Sequence, residues 1–223
     1  MKISKIKKNF DRFSLYIEEL DIAENGIYGI IGSNGCGKST TMKIMAGLMK
    51  PDSGHVDYKN LSQQDITMVF RKPFLMRDTV IQNLIYPLTL RKIKPNTDVV
   101  NYYLEIAGLQ ELRNQYAPGL SGGEQQKLAL IRAMIFSPKM IFIDEAFSNL
   151  DLESVSFFES LILARQQSEP IMYVICSHQP SHIKRLCDHV FFMDKGRIEA
   201  EGSATEMLAN HKNMLPLSYP VVF

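Results

Sequence analysis

Five short runs of aliphatic and β-branched residues are the clearest pattern along the chain. Each run is apolar at successive positions, which predicts a strand that is buried on both faces. Because such strands are typical of parallel sheets, the pattern predicts a largely parallel sheet. The predicted strands are Ile27–Ile31, Ile66–Phe70, Met140–Ile143, Ile171–Ile175 and Val190–Met193.

Two other stretches have a different pattern. From Lys2 to Ile22 apolar and polar residues alternate more, which predicts an antiparallel edge sheet. Between the second and third predicted strands, capping residues and helix-ending signals predict three helices. The first helix follows Asp78-Thr79 and ends near Leu90. The second follows Asn96-Thr97 and ends at Ala107, before Gly108. The third begins near Ser121 and ends before Ser137-Pro138.

These elements predict a single α/β domain over residues 1–223 with a helical insertion. Residues 1–75 and 137–223 would form the α/β core, and residues 76–136 the helical subdomain. On the third predicted helix Leu128, Ile131 and Ile135 share one face, which favours packing against that core. The end of the chain after Asn213, which contains Pro216 and Pro220, is predicted to be irregular.

Composition is that of an ordinary soluble globular protein. Hydrophobic residues make up 45% and charged residues 22% of the 223 positions, and a net charge of +1 does not indicate a nucleic-acid-binding surface. No apolar run approaches the roughly 18 residues that span a bilayer, so we expect neither a membrane span nor a signal peptide. The three cysteines (Cys36, Cys176 and Cys187) fit neither a disulfide framework nor a zinc motif, which favours a reducing cytoplasm.

A glycine-rich turn follows the first predicted strand and precedes a helix predicted over Ser39–Met49. The turn has the pattern G-x-x-x-x-G-K-S, in the strand–loop–helix context that a phosphate-binding loop requires. Backbone N–H groups and the helix dipole would hold the phosphates, Lys38 would reach the β- and γ-phosphates, and Ser39 would ligate Mg²⁺. The alternative is a chance turn with an exposed lysine. The predicted nucleotide-binding residues of the loop are Gly32, Ser33, Asn34, Gly35, Cys36, Gly37, Lys38, Ser39 and Thr40.

Two carboxylates end the predicted strand Met140–Ile143. Carboxyl ends of buried strands are where ligands bind in α/β sheets. Asp144 is placed to support Mg²⁺ through water, and Glu145 to orient or deprotonate an attacking water. The alternative is a strand that ends in two solvated acids, and the phosphate loop upstream favours the catalytic interpretation.

In their order and spacing these motifs resemble those of the ATP-binding subunit of ATP-binding-cassette (ABC) transporters, over nearly the whole chain. The glycine-rich turn matches the Walker A loop, and Asp144 and Glu145 match Walker B and the catalytic glutamate. Asp151 ends a stretch similar to the D-loop, and His178 matches the switch histidine. The family's signature sequence is matched by Leu120, Ser121, Gly122, Gly123, Glu124 and Gln125.

The resemblance implies a P-loop NTPase (RecA-like) core with an antiparallel β subdomain and an inserted helical subdomain. It implies an ATPase that dimerises head to tail around two Mg·ATP, with Ser121–Gly123 completing the partner's site and Asp151 linking the sites. Glu145 would be the general base, and Lys38 and His178 would act on the γ-phosphate. The dimer would drive a separate membrane permease from the inner face of the cell membrane.

Two positions depart from the family's pattern. Arg71 stands where the family usually has a Mg²⁺-ligating glutamine, and a guanidinium has no acceptor atom. We expect Arg71 either to swing out or to bind phosphate directly, with a changed Mg²⁺ geometry. Ala146 replaces the usual proline after Glu145. For the aromatic that stacks on adenine, Phe10 is the first candidate and Phe13 the second.

The resemblance leaves the transported substrate open. Import of a small solute, an oxyanion or an amino acid, is the preferred hypothesis, with a separate solute-binding protein as a further partner. The permease would dock along Arg71–Leu90, where Phe74, Leu75 and Met76 are candidate contacts or helix core. The alternatives are an exporter or lipoprotein-releasing cassette, a soluble cassette that works on nucleic acid, and a degenerate cassette that does not hydrolyse ATP.

Overall fold

The computed structural model describes residues 1–22 and 25–210, so the prediction for the end after Asn213 lies outside the described residues. The described strands are β1 (Lys2–Phe10), β2 (Phe13–Asp21), β3 (Gly26–Gly32), β4 (Ser53–Asp57), β5 (Ile66–Val69), β6 (Met140–Asp144), β7 (Met172–Cys176), β8 (His189–Asp194) and β9 (Arg197–Ser203). The described α-helices are α1 (Lys38–Met45), α2 (Val80–Leu90), α3 (Thr97–Ile106), α4 (Gly122–Met134), α5 (Leu152–Ser168), α6 (Pro180–Leu186) and α7 (Ala204–Asn210).

The larger sheet has the strand order β5-β6-β7-β3-β8-β9. All neighbours pair in parallel except β8 and β9, so the prediction of a largely parallel sheet is confirmed, with all five predicted strands in it. The sequence analysis did not predict β9, because its side chains alternate between exposed and half-buried and form no apolar run. The carboxyl ends of β5, β6, β7 and β3 lie along one edge of the sheet.

Helices and a second sheet cover the two faces of the larger sheet. On β6, Ile141 and Ile143 pack into one apolar cluster with residues of α2, α3, α4 and α5, while Met140 and Phe142 pack into a second cluster with α1 and the smaller sheet. All four side chains are fully buried. A central strand that is covered on both faces must be apolar at every position, which explains the continuous runs in the sequence.

The smaller sheet has the order β2-β1-β4, with both pairs antiparallel. The antiparallel prediction for Lys2–Ile22 is therefore confirmed, although these strands join β4 in a separate sheet instead of extending an edge of the larger one. The sequence analysis did not predict β4, which is mostly exposed.

The three predicted helices of residues 76–136 are confirmed as α2, α3 and α4, and their capping residues are those expected. Thr79 accepts a hydrogen bond at the start of α2, Asn96 accepts two at the start of α3, and Ser121 accepts one at the start of α4. The helix predicted over Ser39–Met49 is wrong at its end, because α1 stops at Met45 and Gly47 turns the chain with a φ of +72°. In the part of the chain that the structure describes, no helix is long and apolar enough to cross a bilayer.

Candidate nucleotide-binding and catalytic site

The phosphate loop connects β3 to α1 and is held by its own lysine. Lys38 is 6% exposed, and its ammonium donates hydrogen bonds to the carbonyls of Gly32 at 3.0 Å and Ser33 at 2.9 Å. Gly35 and Gly37 have φ angles of +80° and +112°, a region that glycine adopts without steric cost. The shape of the loop is therefore supported by its own lysine and glycines.

The N-terminus of α1 is suited to an anion. Its N-cap is Gly37, and among the described residues no side chain caps it and no acidic residue lies in its first turn. The first N–H groups of a helix carry partial positive charge and have no partner within the helix. Since the adjoining Lys38 adds a full positive charge, this corner of the molecule presents convergent donors to an anion.

The cysteine of the phosphate loop lies in an environment that favours a structural role over a reactive one. Cys36 is buried, and burial raises the pKa of its thiol, which disfavours the reactive thiolate. The Cys36 carbonyl accepts a hydrogen bond of 2.9 Å from the N–H of Gly196. Cys176 and Cys187 are also buried and free, which agrees with the expectation that the cysteines form no disulfide framework.

A cavity of about 540 Å³ lies beside the phosphate loop. Phe13 and Tyr16 line it together with Arg12 and loop residues that include Gly35. Phe10 is outside this lining and 42% exposed, and it stacks on Phe13 with ring centroids 6.1 Å apart. The two candidate adenine-stacking rings thus form one aromatic pair in the β1–β2 hairpin.

At the end of β6, Asp144 meets the start of α1. The Ser39 hydroxyl donates a hydrogen bond of 2.9 Å to Oδ1 of Asp144. Burial raises the pKa of Asp144, and the hydrogen bond from Ser39 opposes that shift. Two residues that lie 105 positions apart in the sequence therefore offer a hydroxyl and a carboxylate at one point, as the metal prediction requires.

Glu145 lies at the centre of the polar cluster at this edge. Its N–H donates to the carbonyl of Cys176 at 2.9 Å, which joins the ends of β6 and β7, and its φ is +52°. Oε1 of Glu145 is 2.9 Å from Nδ1 of His178, and Oε2 is 3.1 Å from a terminal guanidinium nitrogen of Arg71. The structure thus brings together the predicted base, the predicted switch histidine and the atypical arginine.

The sequence analysis did not anticipate the contact between Arg71 and Glu145. Arg71 was expected to swing out or to bind phosphate, because a guanidinium cannot ligate a cation. The motif alone does not tell which strand lies beside β5. The parallel pairing of β5 with β6 brings their carboxyl ends together and decides the contact.

The residues of the signature motif begin α4 and bond mainly to each other. The Ser121 hydroxyl and N–H both donate to the Glu124 carboxylate, at 2.7 and 2.8 Å, and these bonds lower the pKa of Glu124. The Gln125 amide donates to the carbonyl of Leu120 at 2.9 Å. Gly122 is exposed, and a methyl group added there would meet no atom within 4 Å. Within the part of the chain that the structure describes, no hydrogen bond of the signature residues reaches the phosphate loop.

The D-loop candidate lies beside the start of α4. Asp151 caps α5 by accepting hydrogen bonds from the N–H and hydroxyl of Ser154, at 2.8 and 2.9 Å. A Cβ atom on Gly123 would lie 3.5 Å from the Asn149 carbonyl, and the Lys127 ammonium is 4.0 Å from Asp151. The structure therefore places this loop between the catalytic edge of the sheet and the start of α4.

Comparison with known proteins agrees with these motifs. Residues 17–148 match a family model described as ABC transporter. The tungstate uptake system ATP-binding protein TupC of Peptoclostridium acidaminophilum is 34% identical over 208 residues, which cover 90% of this chain and 97% of that protein. The methionine import ATP-binding protein MetN of Pasteurella multocida is 33% identical over 236 residues, which cover 96% of this chain and 68% of that protein.

A solved structure shares the fold. It is the dimeric structure of an ATP-binding cassette in a post-hydrolysis state, bound to ADP and inorganic phosphate. The TM-score is 0.80 at 23% sequence identity, and the match covers 91% of this chain and 98% of that chain.

Proposed function

This chain belongs to the ABC transporter family and is an ATPase of that family, and on that premise we propose how it works. Two copies pack head to tail around two Mg·ATP. The phosphate loop of each copy faces the start of α4 of the other, and the cycle of closing and reopening moves a small solute through a separate permease.

The observation that carries the dimer proposal is the environment of Gly122. Glycine in a helix costs about 0.5–1 kcal/mol relative to alanine, yet no atom of the chain crowds this position and its φ is not in the left-handed region. Nothing inside the described chain requires glycine there. A ligand or backbone approaching from outside would require it, and a triphosphate held by the partner's phosphate loop fits a helix N-terminus.

The residues around Ser39 fit a magnesium ion. Mg²⁺ prefers oxygen ligands and binds through one or two carboxylates together with phosphates and waters. The Ser39 hydroxyl and the Asp144 carboxylate, joined by a 2.9 Å hydrogen bond, supply such oxygens beside the phosphate loop. Mg²⁺ would bridge phosphate oxygens and offset their charge, with Ser39 as a ligand and Asp144 as its support.

Glu145 is the proposed general base and His178 the proposed γ-phosphate switch. Their side chains lie 2.9 Å apart at the carboxyl edge of the sheet, beside the strand that leads into the phosphate loop. Glu145 would accept a proton from the attacking water while Lys38 stabilises charge on the transferred phosphate. Phe10 would stack on adenine at the rim, with Phe13 packed behind it.

The proposed solute is an oxyanion or an amino acid. The two relatives are named for tungstate uptake and methionine import, which favours import and supports both chemical classes. We propose a position on the inner face of the cell membrane, bound to permease subunits, with a separate solute-binding protein. Phe74, which is 78% exposed, is the proposed centre of the permease contact.

We also propose which part of the chain binds the nucleotide and which part contacts the partner and the permease. Residues 1–75 and 137–223 would bind nucleotide and metal as the α/β core. Residues 76–136 would form the helical subdomain that carries Ser121–Gly123 to the partner and receives the permease.

The test of this function measures hydrolysis and dimerisation together. Glu145→Gln removes the base but keeps a similar shape, so we expect phosphate release to fall about 10²-fold or more while ATP produces a stable dimer. Size-exclusion chromatography with light scattering, with and without Mg·ATP, gives the oligomeric state. Wild-type rates of hydrolysis in Glu145→Gln would overturn the role of Glu145.

Gly122→Asp is the matched variant for the dimer. A carboxylate in the first turn of a helix does not destabilise it, and the position has room for the side chain. The added negative charge would repel the partner's γ-phosphate, so we expect Gly122→Asp to bind ATP as a single chain but to form no ATP-dependent dimer. Dimerisation equal to that of the wild type would contradict the head-to-tail arrangement.

A further inference from the structure

Arg71 and Glu145 form an ion pair at the proposed catalytic centre. Nη1 of Arg71 lies 3.1 Å from Oε2 of Glu145, and His178 lies 2.9 Å from the other carboxylate oxygen. Each oxygen of the proposed base therefore lies within ion-pair distance of a side chain of the same chain. The guanidinium of Arg71 competes with water for Oε2 and fixes the orientation of the carboxylate.

Breaking the ion pair between Arg71 and Glu145 costs little free energy. The Arg71 side chain is 63% exposed, whereas that of Glu145 is 11% exposed. An exposed arginine gains little from an ion pair because water and salt screen the charge. A phosphate group, which binds a guanidinium through two parallel hydrogen bonds, competes well for the same side chain.

The backbone on both sides of Arg71 is fastened to α4. The amide of Gln126, which is fully buried, donates to the carbonyl of Phe70 at 3.2 Å. Arg132 donates to the carbonyl of Phe74 at 2.7 Å. Glu145, in contrast, is joined to β7 through the carbonyl of Cys176. Because the Arg71 segment follows β5, which pairs with β6, and also bonds to α4, a displacement of α4 relative to the sheet would act on the contact between Arg71 and Glu145.

We propose that Arg71 is a positioning residue that latches the Glu145 carboxylate in the nucleotide-free chain and restrains hydrolysis until the terminal phosphate of ATP and movement of α4 release it. This inference rests on the proposed role of Glu145 as the base. It assigns to Arg71 a function that a glutamine at the same position does not have, because a neutral amide forms no ion pair.

Arg71→Ala tests the latch by the separate effects on kcat and KM. Without the ion pair we expect basal kcat for ATP hydrolysis to rise about threefold to fivefold, and KM to rise as well, because the contact between the guanidinium and phosphate is lost. Arg71→Lys keeps the charge and a donor, so it is expected to restore the wild-type kcat. Alanine is preferred to glutamine here, because an amide oxygen adds a metal ligand. An unchanged or lower kcat in Arg71→Ala would overturn the latch.

The matched control is a second ion pair of the same kind, which joins α6 to α5. Arg185 is 52% exposed and binds Glu159, which is 7% exposed, at 2.8 and 2.9 Å. Arg185→Ala removes an exposed arginine from a buried glutamate without touching the catalytic edge. We expect its kcat to equal that of the wild type, and a rise matching that of Arg71→Ala would mean that general loosening, not the latch, raises the rate.

A readout without nucleotide separates this inference from the proposed function. Thermal unfolding of the Mg²⁺-free chain is compared for the wild type, Arg71→Ala, Glu145→Gln and the double variant. We expect the shifts in Tm of the two single variants to sum to more than the shift in Tm of the double variant. If the shifts are additive, the latch is overturned, while the proposed role of Glu145 as the base is not affected. If Glu145→Gln hydrolyses ATP at the wild-type rate, the proposed base fails instead, whether or not the shifts are additive.

Discussion

Two glycine-rich turns of this protein begin helices, and they are built in opposite ways. The turn before α1 is buried at Gly32 and Cys36 and exposed at Asn34 and Gly35, and the helix start has no side-chain cap among the described residues. The turn before α4 is exposed, and Ser121 and Glu124 cap it with reciprocal hydrogen bonds. No side chain caps the N–H donors of the first helix start among the described residues, while at the second a cap engages the N–H groups of Ser121 and Glu124.

The glycines of the two turns also differ in what requires them. A Cβ atom on Gly32 would lie 2.0 Å from the carbonyl oxygen of Met193, and the φ of Gly32 is +147°. A Cβ atom on Gly122 would meet nothing. The first turn is thus shaped by the fold of the chain itself. Among the described residues no atom crowds the second turn, and we propose that the nucleotide held by the partner lies against it, so that two copies complete one site.

The largest expected effect that separates the two turns is the loss of the loop lysine. Lys38→Ala removes the ammonium that bonds two loop carbonyls and is proposed to hold phosphate. We expect hydrolysis to fall about 10²–10³-fold and ATP binding by the single chain to weaken, as measured by phosphate release and titration calorimetry. If Gly122→Asp weakened ATP binding by the single chain as much as Lys38→Ala does, the two turns would not have the separate roles proposed for them.

A smaller effect is expected when each turn receives the same methyl group. Gly32→Ala forces a clash with the Met193 carbonyl at a positive φ, so we expect a loss of stability of at least about 1–3 kcal/mol. Gly122→Ala replaces glycine in an uncrowded helix, so we expect a gain of about 0.5 kcal/mol. Urea titration of the nucleotide-free chains measures both. Equal losses in the two variants would show that the second turn is also constrained from within.

The smallest expected effect concerns the cap of α4 and its pH dependence. Hydrogen bonds from Ser121 lower the pKa of Glu124 in the folded chain, so this stabilisation is fully present above the unfolded value of about 4.3 and is lost as pH falls through the folded value. Glu124→Gln removes a charge at a helix N-terminus, so we expect a loss of about 0.3–1 kcal/mol at pH 7.

The control for the cap prediction is the same pair of proteins at pH 3. Below the unfolded value of about 4.3, the stabilisation that comes from the lowered pKa decreases, so the difference in unfolding free energy between the wild type and Glu124→Gln is expected to shrink. A difference that is constant from pH 7 to pH 3 would show that the carboxylate charge contributes nothing to the cap.

Much of the fold was predictable because local signals and tertiary structure agreed. The strands buried on both faces are continuous apolar runs, and the helices of residues 76–136 begin at Thr79, Asn96 and Ser121 as capping chemistry predicts. The exposed strands β4 and β9 were missed, because a half-exposed strand carries a weak pattern. The end of α1 was misplaced, because the left-handed turn at Gly47 outweighs the apolar residues after it.

The sequence by itself determined the chemistry that is present. The patterns that carry this chemistry are local: a lysine and a serine after six loop residues, two acids at a strand end, and a serine–glycine–glycine helix start. Local patterns set local backbone and donor geometry. Only the tertiary structure decided which of these groups meet. Strand pairing brings Arg71 and His178 to Glu145, and packing fastens the Arg71 segment to α4, because contacts between distant segments depend on strand order and not on sequence spacing.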